Sequence, residues 1–474
     1  MLVKLPKQVF LIGVGGTAMG NLAVCLRNSG VSVQGSDSAV YPPMSHLLAA
    51  HSIPVFSPDD VAIIEDSRES LFVVGNAVSR GHAQVEWLMK HPEVERCSFP
   101  EFLGNRLLRH TKNLVVAGTH GKSTSTAIAS YLMEEGCIPA AWFVGGVFAN
   151  GHSAFSWKET DQYFAIEGDE YDSAFFDKRS KFVHYRPEVL LLNNLEFDHA
   201  DIFRDTADVQ RSFRQVISLV PENGCILYNG DDPHLCSILP VQWTHCRTFG
   251  FGEENDFVIS RRSGEGESEL SIRSNLDDVN SFTLRTRLLG EFNARNAVGA
   301  ALAVRYLCPQ LGDALVDIRD FMGLKRRQEV RYGDSRHILI EDFGHHPTAL
   351  GEALKAIRES YAGWRIHAMV EPRSNTMRTN KLQADLIKAL CEADSVTIAP
   401  IHRADRIQQS ERLDVDEVIR ELRGRSVPCH FCAEDRDLVD CFQNGLKDER
   451  VVTVVFSNGA FCGLLEEFCE ILQG

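Results

Sequence analysis

Residues 113–136 read NLVVAGTHGKSTSTAIASYLMEEG. Asn113–Ala117 is a short apolar run of strand type, and Gly118 and Gly121 break it. Beyond the break, Ile128, Tyr131 and Leu132 fall at i, i+3 and i+4, the spacing of one helix face, and Gly136 ends the run. A strand that turns through glycines into a helix start is the context a phosphate-binding loop needs. Backbone N–H groups of the loop and the helix N-terminus can cradle β- and γ-phosphates. Lys122 would set a fixed positive charge on them, and Ser123 would offer its hydroxyl to Mg²⁺. Gly118, Thr119, His120, Gly121, Lys122, Ser123 and Thr124 are therefore candidate ATP contacts. The usual loop has a further glycine where Val116 stands, so the motif is a shortened G-x-x-G-K-S-T. A plain glycine-rich turn with a solvated lysine is the alternative.

Two neighbouring strand ends point to the same chemistry. Tyr163–Ile166 ends at Glu167-Gly-Asp-Glu170, and Val189–Leu192 ends at Asn193-Asn-Leu-Glu-Phe-Asp198-His199. In a parallel sheet the carboxyl ends of strands share one edge, where ligands bind. Lys122, Ser123, Glu167 and His199 would converge there on the γ-phosphate. A hydroxyl, a carboxylate and an imidazole can hold Mg²⁺ or Mn²⁺. Glu170 is the alternative acid.

Two further blocks flank this one. The first opens on the strand Val9–Gly13, continues through GVGGTAMG into a helix, and reaches a second strand that ends at Ser36-Asp37. Leu71–Gly75 ends at Asn76. Gly13-Val-Gly15-Gly16-Thr17-Ala18 fits G-x-G-x-x-G/A after a strand, with Asp37 where a ribose-binding acid belongs. Taken alone this is a dinucleotide site, and the chain an NAD-dependent oxidoreductase. The same geometry takes the diphosphate of a UDP-sugar, and the oxidoreductase reading leaves GTHGKST, EGDE and the FDH segment unexplained. The last block follows the basic connector Gly323–Arg331, with strands at His337–Glu341, Arg365–Val370, Val396–Ala399 and Val451–Phe456 and helices such as Thr348–Glu359 between them.

Strand–helix alternation in all three blocks predicts an α/β protein with parallel sheets. We expect three domains: 1–108, Rossmann-like; 109–322, a P-loop mixed sheet; and 323–474, Rossmann-like. The polar, alternating stretch from about 240 to 290 reads as an antiparallel edge insertion of the middle domain. A length of 474 residues suits that count.

Composition narrows the classes. With 44% hydrophobic and 24% charged residues the chain reads as soluble and globular. A formal net charge of −16 argues against a general nucleic-acid or membrane-surface binder. No apolar stretch approaches the roughly 18 residues of a membrane helix, and the first residues show no signal-peptide pattern. Thirteen scattered cysteines read as reduced thiols of a cytoplasmic protein. The one C-x-x-C, Cys429 to Cys432, has no second pair and reads as structural.

With both glycine-rich loops side by side, the chain resembles the Mur ligase family of peptidoglycan synthesis over essentially its whole length. GVGGTAMG and GSD resemble the UDP-binding signature; GTHGKST, EGDEYDSAFF and NNLEFDH the ATP-binding domain; GEFNARNAV, LKRRQEV and EDFGHHPTAL the adenine-binding and C-terminal signatures. The resemblance implies an ATP-dependent ligase that activates a carboxylate as an acyl phosphate and joins it to an amine. It implies UDP-sugar contacts from Gly15, Gly16, Thr17, Ser36, Asp37 and Asn76. It places Asn293 and Asn296 beside adenine, Arg327 and Arg326 near the ATP phosphates, and Asp342 on the ribose or a phosphate. Lys122, His199, Arg327 and His345 would carry the chemistry, with Mg²⁺ on Ser123, Glu167 and His199. Several family members carry a carbamylated lysine after the histidine ligand; Val209–Arg214 holds no lysine.

FFDKRSKFVHYRP, NNLEFDHADIF and EPRSNTMR further resemble the branch that attaches the murein tripeptide L-alanyl-γ-D-glutamyl-meso-diaminopimelate to UDP-N-acetylmuramate in cell-wall recycling. The branch that adds free L-alanine is the alternative. Arginine binds carboxylates bidentately. Arg373, Ser374, Asn375, Thr376, Arg378 and Asn458 are thus expected to grip the diaminopimelate end.

Overall fold

A computed structural model describes residues 5–41, 44–264, 266–277, 279–315, 317–447 and 450–473. Its scaffold is three sheets in chain order, each carrying a loop of interest at its carboxyl edge.

The first sheet has five parallel strands in the spatial order Val55–Phe56, Ser32–Ser36, Gln8–Ile12, Leu71–Val74, Arg96–Ser98. The order reverses beside Gln8–Ile12, so the crevice at its carboxyl end falls at the loop Gly13–Gly16, where an open α/β sheet binds ligands. Strands buried on both faces need helices on both sides, which is why LFVV and VFLI are unbroken apolar runs.

The middle sheet has ten strands. Seven adjacent strands run parallel across the P-loop region: Ala140–Phe143, Tyr163–Gly168, Lys112–Ala117, Val189–Leu192, Cys225–Asn229, His245–Gly250 and Phe257–Ser263. Phe257–Ser263, Ser268–Ser274 and Phe282–Thr286 then form an antiparallel meander at one edge. The expected insertion is therefore present, but its first strand, His245–Gly250, belongs to the parallel core. Its burial is partial rather than continuous, so its composition does not set it apart from the meander that follows. The helix Glu291–Leu307 lies across Lys122–Glu135, and Ala-Ala-Leu-Ala-Val permits the close approach.

The third sheet runs Glu329–Gly333, His337–Asp342, Val451–Phe456, Arg365–Val370, Ser395–Ile398, Cys429–Phe431, parallel except for the first strand. Cys429 and Cys432 are buried thiols at its far edge, and all thirteen cysteines are free. No helix among the described residues is long and apolar enough to cross a membrane.

The three units are joined differently. The turns Phe99–Phe102, Leu103–Leu107 and Leu108–His110 bury Phe99, Phe102, Leu103, Leu107 and Leu108 in a core shared by the first and middle sheets. Phe99 meets Phe143 there at 5.4 Å between ring centroids. The joint to the third sheet is polar and turns through Arg326 and Gln328, both in the left-handed region (φ 61° and 52°). Such backbone costs of order 1–3 kcal/mol per residue and persists only where hydrogen bonds over-determine it. Here Arg326 N–H donates to Glu329, Gln328 N–H to Asp342 Oδ2 at 2.9 Å, and Phe343 N–H to the Arg326 carbonyl at 2.7 Å.

Candidate active site

The phosphate loop closes on the strand end beside it. Gly121 caps the helix at φ +79°, and a Cβ there would lie 2.3 Å from Asn296 Oδ1, so position 121 admits only glycine. The Thr119 hydroxyl is engaged within the protein: it donates to the Glu196 carbonyl and accepts the Glu196 N–H at 2.8 Å. His120 N–H donates to Asn194 Oδ1 at 2.7 Å. Asn193 and Asn194 thus hold the loop to the next strand, a role the sequence reading missed. Their side chains follow a strand end, and nothing in composition marks them.

Lys122 donates to both Glu170 oxygens, at 3.0 and 2.8 Å, and to the Gly118 carbonyl at 2.7 Å. Glu170 is 3% exposed and also lies 3.0 Å from His199 Nε2. Burial alone would neutralise these groups, but their mutual charges prevail: the Glu170 carboxyl is held down, the Lys122 ammonium and the His199 imidazole are raised. Of the two acids left open by the sequence, Glu170 joins Lys122 and His199. Glu167 instead accepts the Gly145 N–H at 2.8 Å. Ser123 is buried in the first turn of the helix and Thr124 is half-buried beside it. His199 itself stands at φ 54°, a left-handed conformation its neighbours must enforce.

Asn293 and Asn296 form part of a buried polar network behind the loop. Asn296 Oδ1 lies 3.3 Å from the Ser125 hydroxyl and 3.4 Å from Asn193 Nδ2; Asn293 donates to the Leu289 carbonyl and to Gln328.

The third sheet closes over this edge. Arg327 is exposed, its guanidinium 4.8 Å over the Phe343 ring, facing the charges of Asp342 and Glu167. Arg326, expected to share its job, is engaged inside the third unit by Glu341 and the Ser457 and Gly459 carbonyls. Asp342 accepts the Gln328 and Gly344 N–H groups, and burial raises its carboxyl. It acts as the pin of the joint. Asp198 is 3% exposed and accepts from Thr376, at 2.5 Å, across the seam. Its other oxygen has no hydrogen-bond partner and faces His345 Nε2 at 3.7 Å. His345 and His346 are pushed from the ordinary 6.5 down to about 4 by burial, which the Asp198 charge only partly offsets.

That depression makes a pH prediction. Both imidazoles bind fewer protons folded than unfolded, so stability rises with pH across this window and is lost as pH falls from 6.5 toward 4. At about 1.36 kcal/mol per pKa unit the full loss is of order 3 kcal/mol for each imidazole. Thermal unfolding in a pH series should show it, and His345→Gln should flatten the slope. A midpoint level from pH 6.5 to 4 in the parent protein would refute it.

At the carboxyl edge of the third sheet, Arg373 lies against the Gly459 backbone and contacts Glu371 at 3.2 Å; a Cβ on Gly459 would sit 2.2 Å from Arg373 Nε. Ser374 donates to the His345 carbonyl, and Asn375 accepts from Arg378. Arg373, Arg403 and Arg406 all act on Arg378, whose guanidinium pKa is lowered by burial and then by these like charges. Asn458 Oδ1 and Arg378 Nε are buried without partners in the same loops. Arg403 and Arg406, both exposed, went unnoticed in the sequence because they lie in a loop without a motif.

In the first unit, Gly15 N–H donates to Asp37 Oδ2 at 2.8 Å, and Gly16 and Thr17 stand exposed at the helix start. Ser36 departs from expectation. It is 0% exposed and its hydroxyl donates to Gln84, so its side chain is turned into the fold and braces the crevice. Asn76 is exposed and reaches the Asp172 carbonyl at 3.5 Å, across to the middle unit.

Comparison with known proteins agrees with this arrangement. The Mur ligase family catalytic-domain profile matches residues 8–111 and the Mur ligase middle-domain profile residues 116–304. A Haemophilus influenzae protein named UDP-N-acetylmuramate–L-alanyl-γ-D-glutamyl-meso-2,6-diaminoheptandioate ligase is 33% identical over 98% of this chain and 99% of its own length. A crystal structure of a murein peptide ligase from Psychrobacter arcticus superposes with TM-score 0.70 at 29% identity, covering 98% of both chains. A UDP-N-acetylmuramate–L-alanine ligase from Hydrogenovibrio crunogenus is 27% identical over 95% of each chain. The chain belongs to the Mur ligase family. It is an ATP-dependent ligase that forms an amide bond.

Proposed function

We propose that this ligase joins the tripeptide L-alanyl-γ-D-glutamyl-meso-diaminopimelate to UDP-N-acetylmuramate. The observation that carries the choice of acceptor is the third unit's cationic edge. Arg373, Arg403 and Arg406 lie close enough to act on Arg378, whose Nε is buried without a partner, as is Asn458 Oδ1 in the loop beside Gly459. Free alanine offers one carboxylate, whereas the tripeptide offers several, and guanidinium groups match them. Relatives named for the tripeptide reaction span nearly the whole chain, which supports the same reading.

In this reading the first unit holds the UDP-sugar at Gly15, Gly16, Thr17, Asp37 and Asn76. Its carboxylate reaches the middle edge, where an oxygen attacks the γ-phosphorus of ATP and ADP leaves. Lys122 shifts from Glu170 to the phosphate oxygens, and Arg327 adds a second positive charge from the third unit. Ser123, Glu167 and His199 would supply an oxygen-and-imidazole donor set that suits Mg²⁺, with Glu170 the alternative acid. The ion would supply further neutralisation of the transferring phosphoryl group. The peptide amine attacks the acyl carbon and phosphate departs. An α-amine has a reference pKa of roughly 7.7–8.0, so a modest acceptor suffices for its proton. His345, held neutral by burial, and the unpartnered Asp198 oxygen face the place where that proton is lost. The setting for all of this is the cytoplasm, where both UDP-sugars and reduced thiols are found.

ADP release from ATP and Mg²⁺ with UDP-N-acetylmuramate tests the reading. Turnover with tripeptide should far exceed that with L-alanine. Turnover mainly with alanine would overturn the acceptor assignment and reassign EPRSNTMR.

A further inference from the structure

His120, Glu196 and His346 bring their ligand atoms within 4.8 Å of one another. His120 Nε2 and His346 Nδ1 each lie 3.3 Å from Glu196 Oε2. Ligand atoms about 2.0–2.2 Å from a tetrahedral Zn²⁺ stand about 3.4 Å apart. The two edges to Glu196 already match that span, and the edge between the two histidines lies within 4.8 Å. The rings lie side by side, with centroids 4.6 Å apart, so both present an edge to the same carboxylate.

Each member is also held from behind. The Glu196 backbone N–H donates to the Thr119 hydroxyl, and the His120 backbone N–H and carbonyl pair with the Asn194 side-chain amide, so the backbone under both ligands is fixed. His346 Nε2 lies 3.2 Å from the Phe197 carbonyl, which fixes that nitrogen as the N–H and leaves the Nδ1 lone pair outward. A backbone carbonyl on the second ring nitrogen is the usual support of a metal-ligating histidine. Nδ1 now takes a 3.3 Å capping contact from Thr348 N–H, and this single contact would yield to an ion. None of the three residues is needed for the Mg²⁺ donor set above.

We propose that His120, Glu196 and His346 form a second cation site, for a Zn²⁺-class ion. Two histidines and one carboxylate leave a fourth position open to water or to a substrate oxygen. The site spans units: His120 sits in the phosphate loop, Glu196 on the adjacent strand end, and His346 caps the third unit's helix Pro347–Ser360. A bound ion therefore ties the phosphate loop to the third unit.

The probe is Co²⁺, added to the metal-free full chain in excess Mg²⁺ so that the oxygen-rich site stays occupied. Strong visible bands of four-coordinate Co²⁺ should appear in proportion to protein and vanish on adding Zn²⁺. Glu196→Gln and His120→Ala, at half-buried positions, should each weaken Co²⁺ binding about 100-fold or more. His346→Asn, which keeps a helix-capping side chain, should do the same. Zn²⁺ should raise the unfolding temperature of the parent and not that of Glu196→Gln. A weak six-coordinate spectrum, bands unaltered in these variants, or no uptake of Co²⁺ would each overturn the site. The ligase reading stands or falls separately, on ADP release.

Discussion

Lys122→Met should lose roughly 10²–10³-fold or more in turnover, the loss expected when one preorganised charge is taken from a phosphoryl-transfer site. Two outcomes must be separated, because Lys122 does two jobs. In the nucleotide-free protein it neutralises Glu170, which is 3% exposed and shares its charge otherwise only with His199. Removing one partner of a buried pair leaves an uncompensated charge, and costs about 3–5 kcal/mol when nothing replaces it. Lys122→Met should therefore also unfold at lower temperature. Adding Glu170→Gln removes the orphaned charge and should restore much of that stability. It should not restore turnover, since the phosphate oxygens still lack their cation. Steady-state ADP release and thermal unfolding on the three proteins decide the matter. If turnover returns with stability in the double variant, Lys122 is a structural cation and the phosphate-loop assignment fails.

This double role explains what the sequence could and could not reveal. The loop was legible because its chemistry is local: a strand, two glycines, a lysine and a helix start follow one another without a gap. The three-sheet plan was legible for the same reason, from apolar runs that end in turns. The different contacts of Glu167 and Glu170 were not. The two acids differ by three positions at one strand end, and one of them accepts the Gly145 N–H, which comes from the loop after another strand. Ser36 was expected at the ligand because GSD resembles the UDP-binding signature. Its partner Gln84 lies 48 residues away, and no pattern announces that hydrogen bond. Arg326 and Arg327 are neighbours of identical type. The left-handed backbone at Arg326 turns one guanidinium inward to Glu341 and leaves the other exposed on Phe343. Adjacent residues part company wherever tertiary contacts, and not the period of the chain, set the direction of a side chain.

The second large effect is expected at the acceptor edge. Arg373→Ala should raise the KM for tripeptide about 10–100-fold, the worth of a charge-assisted hydrogen bond of roughly 1.5–3 kcal/mol. ATP and UDP-sugar parameters should stay near those of the parent, because Arg373 contacts Glu371, His402 and the Gly459 backbone but no group of the phosphate loop. Arg373→Lys should recover little, since an ammonium cannot reproduce a planar two-pronged contact. Gly459→Ala gives an independent check on position. Its new methyl would meet Arg373 Nε at 2.2 Å and push the guanidinium off the loop, so its KM defect should match that of Arg373→Ala. Arg403→Ala, at an exposed position in the same cluster, should weaken tripeptide binding less and more so at low salt, where screening is weak. An unchanged tripeptide KM in Arg373→Ala, with Gly459→Ala also silent, would place the peptide's carboxylates elsewhere. The cationic edge would then be a feature of the fold and not of the acceptor.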